Sequence, residues 1–214
     1  MNKILSKTFL WMFIGLVVTF LTGYVISTNA VMANNIFGGS RYILFIIAEF
    51  VLVIVLSARI FKMNPAVAKA CFILYAFMSG LTFSSVFIVY ELTSIMYVFL
   101  LAAGLFGILA FVGATTKVDL SKIGTYFFVG LIGVIILALV NALLIHSTGL
   151  ELGISIVCLL LFVGVTMYDI QKINNLRDAD LPEDNLAIYG ALELYLDFIN
   201  IFLDLLRLIG NAKD

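Results

Sequence analysis

Charge is what this sequence has little of. Only 12% of its 214 residues are Asp, Glu, Lys or Arg, about half the share of a typical soluble domain. That leaves too little polar surface to cover a water-soluble globule, so the bilayer has to be the solvent. The net charge of −1 lacks the basic excess that nucleic acid demands, and no such partner is expected. Cysteine is scarce: Cys71 and Cys158 stand far apart in apolar runs and read as buried, reduced small hydrophobes. They say nothing about compartment. The single histidine, His146, lies beside Ser147, so a serine protease would have to use that pair. Its place in a loop fits a solvated side chain better. No lysine lies at the centre of an apolar run, which excludes a retinal Schiff base.

What is abundant is hydrocarbon. Hydrophobic residues make up 64% of the chain and the mean hydropathy is +1.19. Seven apolar stretches are each about twenty residues, the length that crosses about 30 Å of hydrocarbon as a helix. They are predicted near Thr8–Ser27, Tyr42–Phe61, Ala68–Val89, Ile95–Gly113, Thr125–Ile145, Gly153–Ile173 and Ala187–Ile209. The interruptions, such as Asn34–Ser40 and Asn174–Asn185, are too short to hold a soluble domain. The whole chain, 1–214, therefore reads as one all-α integral membrane domain. Lys3 and Lys7 precede the first run as in a signal peptide, and Val31-Met32-Ala33 resembles a cleavage site. The run is longer than the usual signal core of about 7–15 residues. Gly15, Thr19 and Gly23 also recur at four-residue spacing, which suits close helix packing. A retained helix is expected.

Basic residues set the expected orientation. With the N-terminus inside, the cytosolic segments hold Lys3, Lys7, Arg59, Lys62, Lys69, Lys117, Lys122, Lys172 and Arg177. Only Arg41, Arg207 and Lys213 fall outside. A cell-membrane protein with a cytoplasmic N-terminus and an external C-terminus is expected. The bias stays in phase through all seven spans, which supports an odd number.

An ionised side chain at mid-bilayer costs about 2.5–3.5 kcal/mol on insertion scales, so intramembrane acids need a reason. Glu49 lies in the second predicted span and Asp169 toward the cytosolic end of the sixth. The seventh carries Glu193, Asp197, Asn200, Asp204 and Arg207. Their spacing of four, three, four and three places them on one helix face. Lipid could not solvate that stripe, so the seventh helix is expected to be central. Asp204 and Arg207 read as a structural ion pair. Asp169 and Asp197 flank the same loop. Should they meet, desolvation and repulsion oppose ionising both, and the two titrate as a unit. Counting helical rise puts them about 9 Å apart in depth, which shifted boundaries and tilt would partly close. Arg59 is a candidate counter-charge. Carboxylates also suit a hard cation, so Glu49, Asp169 and Asp197 are candidate calcium ligands. The acidic loop Asp178, Asp180, Glu183 and Asp184 reads as an ordinary solvated loop.

The stretch from Ala191 to Gly210, ALELYLDFINIFLDLLRLIG, resembles the C-terminal signature of the Bax-inhibitor family, the transmembrane Bax inhibitor motif proteins. Tyr168-Asp169-Ile170-Gln171, Ser79-Gly80-Leu81-Thr82 and Lys117-Val118-Asp119-Leu120-Ser121 resemble further family segments in the right order. The family more often has Thr or Leu at position 170, and usually a charge at 118. The resemblance implies two three-helix layers around a central C-terminal helix. It implies a passive calcium leak whose gate responds to pH through paired aspartates, here Asp169 and Asp197, with acid favouring the open state. Arg59 and Glu49 correspond more loosely. Short loops resemble bacterial members, so no link to apoptosis is carried over. Glu193, Asn200 and Asp204, with Glu49, would line the ion path. Calcium and protons are the expected partners beside the bilayer, with no cofactor and no enzymatic activity.

Rival readings use the same acids. A cation/proton antiporter would couple two fluxes, but no inverted repeat is evident. An intramembrane aspartyl protease also places Tyr-Asp on one helix and Asp on the next. Its Gly-x-Gly-Asp motif is replaced here by Leu194-Tyr195-Leu196 before Asp197, and its Pro-Ala-Leu segment is missing. A non-transporting scaffold is the third alternative. Ala103 and Gly107 could pack helices within one subunit or between two, and a monomer is compatible with both.

Overall fold

Backbone in hydrocarbon has to satisfy its own hydrogen bonds, and helices do so residue by residue. The computed structural model describes residues 3–38, 41–176 and 181–213. Among them eight α-helices form in chain order: α1 (Lys3–Ser27), α2 (Ala30–Phe37), α3 (Arg41–Arg59), α4 (Pro65–Val89), α5 (Leu92–Thr115), α6 (Ser121–Val140), α7 (Thr148–Asn175) and α8 (Glu183–Ile209). A 3₁₀ turn, Ile60–Lys62, extends α3, and a π turn, Asn141–Ile145, extends α6. Seven of these helices, all but α2, are long and apolar enough to span a membrane. No strand forms among the described residues; one isolated bridge joins Tyr90 and Ala212.

Every expected span is present, and several run past their expected ends. Helix α1 begins at Lys3 rather than Thr8, and α8 at Glu183 rather than Ala187. Paired charges explain both extensions. Lys7 Nζ lies 2.8 Å from Glu183 and 3.1 Å from Asp184, Lys3 reaches Glu183 at 3.3 Å, and Lys69 of α4 reaches Asp184 at 2.6 Å. Glu183 and Asp184 thus belong to the first turn of α8, where a helix favours negative charge; they are not a solvated loop. Asp178, Asp180 and Arg177 lie outside the described residues. The segment after α1 is also corrected. Part of the expected loop, Asn34–Ser40, is helical: Asn29 Oδ1 accepts from the Val31 and Met32 amides at 3.1 Å each, capping α2.

The chain divides into two compact units. The first comprises Met1–Leu92, Leu176–Tyr195 and Ala212–Asp214; the second comprises Thr93–Asn175 and Leu196–Asn211. Each therefore holds three spans, and α8 contributes its first half to one and its second half to the other. Helix α8 is the most buried span, at 67% of its most apolar stretch, against 11% for α3 and α6. That agrees with its polar stripe.

In the first unit α1 packs on α4 through small residues. Gly15 faces the Phe72 ring and Gly23 the Phe87 ring, while Thr19 Oγ1 donates to the Ala76 carbonyl at 2.9 Å. A Cβ at Gly80 would lie 2.6 Å from Thr22 Cβ and 2.9 Å from the Thr19 carbonyl oxygen. Gly80→Ala is therefore expected to cost about 1–3 kcal/mol, read as a lower thermal midpoint in detergent. At Gly107 a Cβ would meet nothing within 4 Å, so Gly107→Ala should leave the midpoint unchanged. Ala103 is exposed and Gly107 has no close neighbour, so this pair packs no helix among the described residues.

Candidate functional site

Three acids within the spans of the second unit are held inside protein rather than against lipid. Asp169 of α7 is 5% exposed, and Asp197 and Asp204 of α8 are each 3% exposed. Packing around them is close. A Cβ at Gly113 of α5 would lie 2.7 Å from the Met167 carbonyl oxygen and 3.2 Å from Ile170 Cβ, so α5 abuts α7 beside Asp169. Phe198, next to Asp197, stacks edge-on against Phe99 and Phe106 of α5. Both aspartates thus sit on helices that pack against α5.

Cations accompany two of the acids. Lys172 Nζ, over the Tyr168 ring, is 3.9 Å from Asp169 Oδ1, the outer limit of an ion pair. Arg207 Nη1 is 3.4 Å from Asp204 Oδ1, the i, i+3 pair read from the spacing. Glu193 and Asn200 are half-buried. The Asn200 amide donates to the Leu196 carbonyl at 2.7 Å, so it serves its own helix.

In the first unit Glu49 accepts a bond from Thr82 Oγ1 at 2.8 Å, and Thr82 belongs to the Ser79–Thr82 segment noted above. Arg59, the expected counter-charge, is exposed at the end of α3 and forms no ion pair among the described residues. The calcium ligand set is corrected too. Among the described residues no group of three or more His, Cys, Asp or Glu is placed to hold a metal ion, so Glu49, Asp169 and Asp197 do not make a three-carboxylate site.

Four positioning residues were given no role in the sequence reading. Gln171 Nε2 donates to the Val118 carbonyl at 2.8 Å, and its Oε1 accepts from the Leu120 amide at 2.9 Å. Two of the segments singled out by resemblance are thereby clamped together, two residues from Asp169. In the same turn Asp119 Oδ1 accepts from the Ser121 amide at 3.0 Å, which holds its carboxyl below the ordinary range. Tyr195 is fully buried, and its hydroxyl lies 2.7 Å from Thr19 Oγ1. Asn185, also fully buried, donates to the carbonyls of Ile60 and Met63. The Gln171 signal was present in its motif. Asn185 was hidden because a polar residue beside charges reads as loop.

Seven spans with carboxylates buried in the last two define a multi-pass helical membrane protein built around intramembrane acids. Residues 1–214 match the family described as Inhibitor of apoptosis-promoting Bax1. The chain is 40% identical over 215 residues to "Inner membrane protein YbhL" of Escherichia coli strain K12, covering 98% of this chain and 92% of that one. It is 38% identical to a protein of Borreliella burgdorferi, over 100% of this chain and 94% of the other. A Deinococcus radiodurans protein is also 38% identical, over 98% and 90%. The chain belongs to the Bax-inhibitor family.

Proposed function

We propose that this protein is a pH-regulated passive calcium leak of the inner membrane, gated by Asp169 and Asp197 sharing a proton. The observation that carries the reading is the burial of both carboxylates, at 5% and 3% exposure, within one compact unit of membrane-spanning helices. In a dry site two such groups resist joint ionisation, so one proton sets their net charge and the packing of α7 against its neighbours. Calcium would move along the polar face of α8, past Glu193, Asp197, Asn200 and Asp204, without being held by a multi-carboxylate cage. Weak, serial oxygen contacts suit a conducted ion, which has to leave as readily as it enters. The inner-membrane assignment follows the name of the Escherichia coli relative. The basic-residue count supports a cytoplasmic N-terminus. No cofactor, enzymatic step or second subunit is part of the reading.

Purified protein in calcium-free proteoliposomes tests it against its rivals. A leak admits Ca²⁺ down its gradient with equal pH on both sides. An antiporter moves Ca²⁺ only when a proton gradient is imposed, and a scaffold or protease moves none. Downhill entry at equal pH is the expected result.

A further inference from the structure

In the first unit a groove of about 560 Å³ lies between α1 and α4, with α2 across one end. Helix α1 contributes Leu21 and Val25, α4 contributes Phe77, and α2 contributes Met32 and Ile36. Leu21, Val25, Met32 and Phe77 are each about half exposed, so the groove opens toward hydrocarbon. Its α1 residues belong to the last two turns before Ser27, within about 10 Å of the helix end. That depth is the upper part of one leaflet. Helix α2 is fixed in place. Ile36 packs with Ile26 and Leu81 in a buried cluster, and the Phe37 ring lies 5.0 Å from the Tyr42 ring of α3.

The lining carries no acid, and Thr22 and Asn35 are its only polar members. A cation stands at the rim. Arg41, the first residue of α3, donates from Nη1 to the Asn35 carbonyl at 3.2 Å. That bond uses one of five guanidinium donors. The side chain is exposed, and among the described residues it forms no ion pair. Guanidinium donors match phosphate oxygens two at a time. An apolar slot thus leads up to a phosphate-matching cation at the end where a lipid chain joins its headgroup. Left empty, the slot would forfeit dispersion contacts along its walls. A span of a second copy laid in it would run into α2, whereas a lipid chain stops there.

We propose that this groove binds one phospholipid with an anionic headgroup, an acyl chain lying between α1 and α4 beneath α2 and the phosphate on Arg41. The full chain, delipidated in detergent, would be offered dioleoyl phosphatidylglycerol, dioleoyl phosphatidylcholine and dioleoylglycerol in equal amounts, and retained lipid counted by native mass spectrometry. One phosphatidylglycerol per chain is expected to be kept over both others. Phosphatidylcholine brings a second cation beside Arg41, and dioleoylglycerol has no phosphate. Arg41→Gln keeps a donor for Asn35 and should lower phosphatidylglycerol retention by about tenfold. Val25→Trp and, separately, Phe77→Trp should fill the groove and lower retention of all three lipids. Leu100→Trp, at a 69% exposed position of α5, should not. Because Val25 and Phe77 are half exposed, both tryptophans should leave the lipid-free thermal midpoint unchanged, which separates binding from folding. Equal retention of the three lipids, or retention that ignores either Arg41→Gln or both groove tryptophans, overturns the proposal in favour of an ordinary annular lipid. A dimer that excludes lipid and is lost in Val25→Trp would assign the groove to a second copy and overturn it as well. Ion flux plays no part in this readout, so its failure and that of the leak reading are distinguishable.

Discussion

Replacing Asp169 or Asp197 by asparagine is expected to abolish the pH dependence of calcium flux. Asparagine keeps the size and hydrogen-bonding capacity of a protonated carboxyl but holds no titratable proton. A shared proton in the native pair should switch flux over about two pH units, the span of one titration from a tenth to nine-tenths complete. Each single variant should vary by less than about twofold across that window, locked at the native acid-side value. With both residues serving one proton, as proposed, the double variant should match either single one, since groups that act as a unit are not additive. Flux measured across the native transition, at pH equal on both sides of the membrane, checks this. A single variant that keeps the full native profile would place the sensor elsewhere.

The second large effect concerns stability. Asn185 is fully buried at the start of α8 and donates to the carbonyls of Ile60 and Met63, the latter at 2.9 Å. Those carbonyls lie at the end of the 3₁₀ turn after α3, where a helix runs short of internal donors; the Ile60 carbonyl also accepts the Met63 amide at 3.3 Å. The next helix is capped independently: Asn64 Oδ1 accepts from the Ala66 amide at 2.9 Å, and Pro65 opens α4. One asparagine thus ties the α3–α4 corner to α8. Asn185→Ala removes the donor shared by the two carbonyls, of which Ile60 keeps the Met63 amide at 3.3 Å, and is expected to cost about 1–3 kcal/mol, seen as a lower thermal midpoint in detergent. Asn185→Asp keeps the shape without the donors and should lose about as much. Lys3→Ala should change little, since that side chain is 76% exposed and exposed ion pairs are weak.

Length and hydropathy made the spans legible because hydrocarbon permits so few solutions. The period of the α8 stripe likewise foretold its burial, since lipid cannot solvate a row of carboxylates. Charge was the misleading signal. Lys3, Lys7, Glu183 and Asp184 seemed to end spans, whereas pairing lets helices continue through them. Helix α2 was invisible for a different reason: eight residues carry too little periodicity, and only Asn29 as cap marks its start. Within the site, local spacing revealed the Asp204–Arg207 pair, which lies on one helix. Arg59, Glu49 and the calcium ligand set depended on how distant spans meet, which spacing along one helix does not encode. The bonds of Gln171 to Val118 and Leu120 are of the same kind, about fifty residues apart in the chain.

Calcium entry into proteoliposomes holding the native protein, followed while pH is stepped equally on both sides, is the most direct measurement. Two buried carboxylates competing for one proton should give downhill flux with a single sigmoidal pH profile and no need for a proton gradient. A flat profile, or flux that arises only when the two sides differ in pH, would contradict them as the gate.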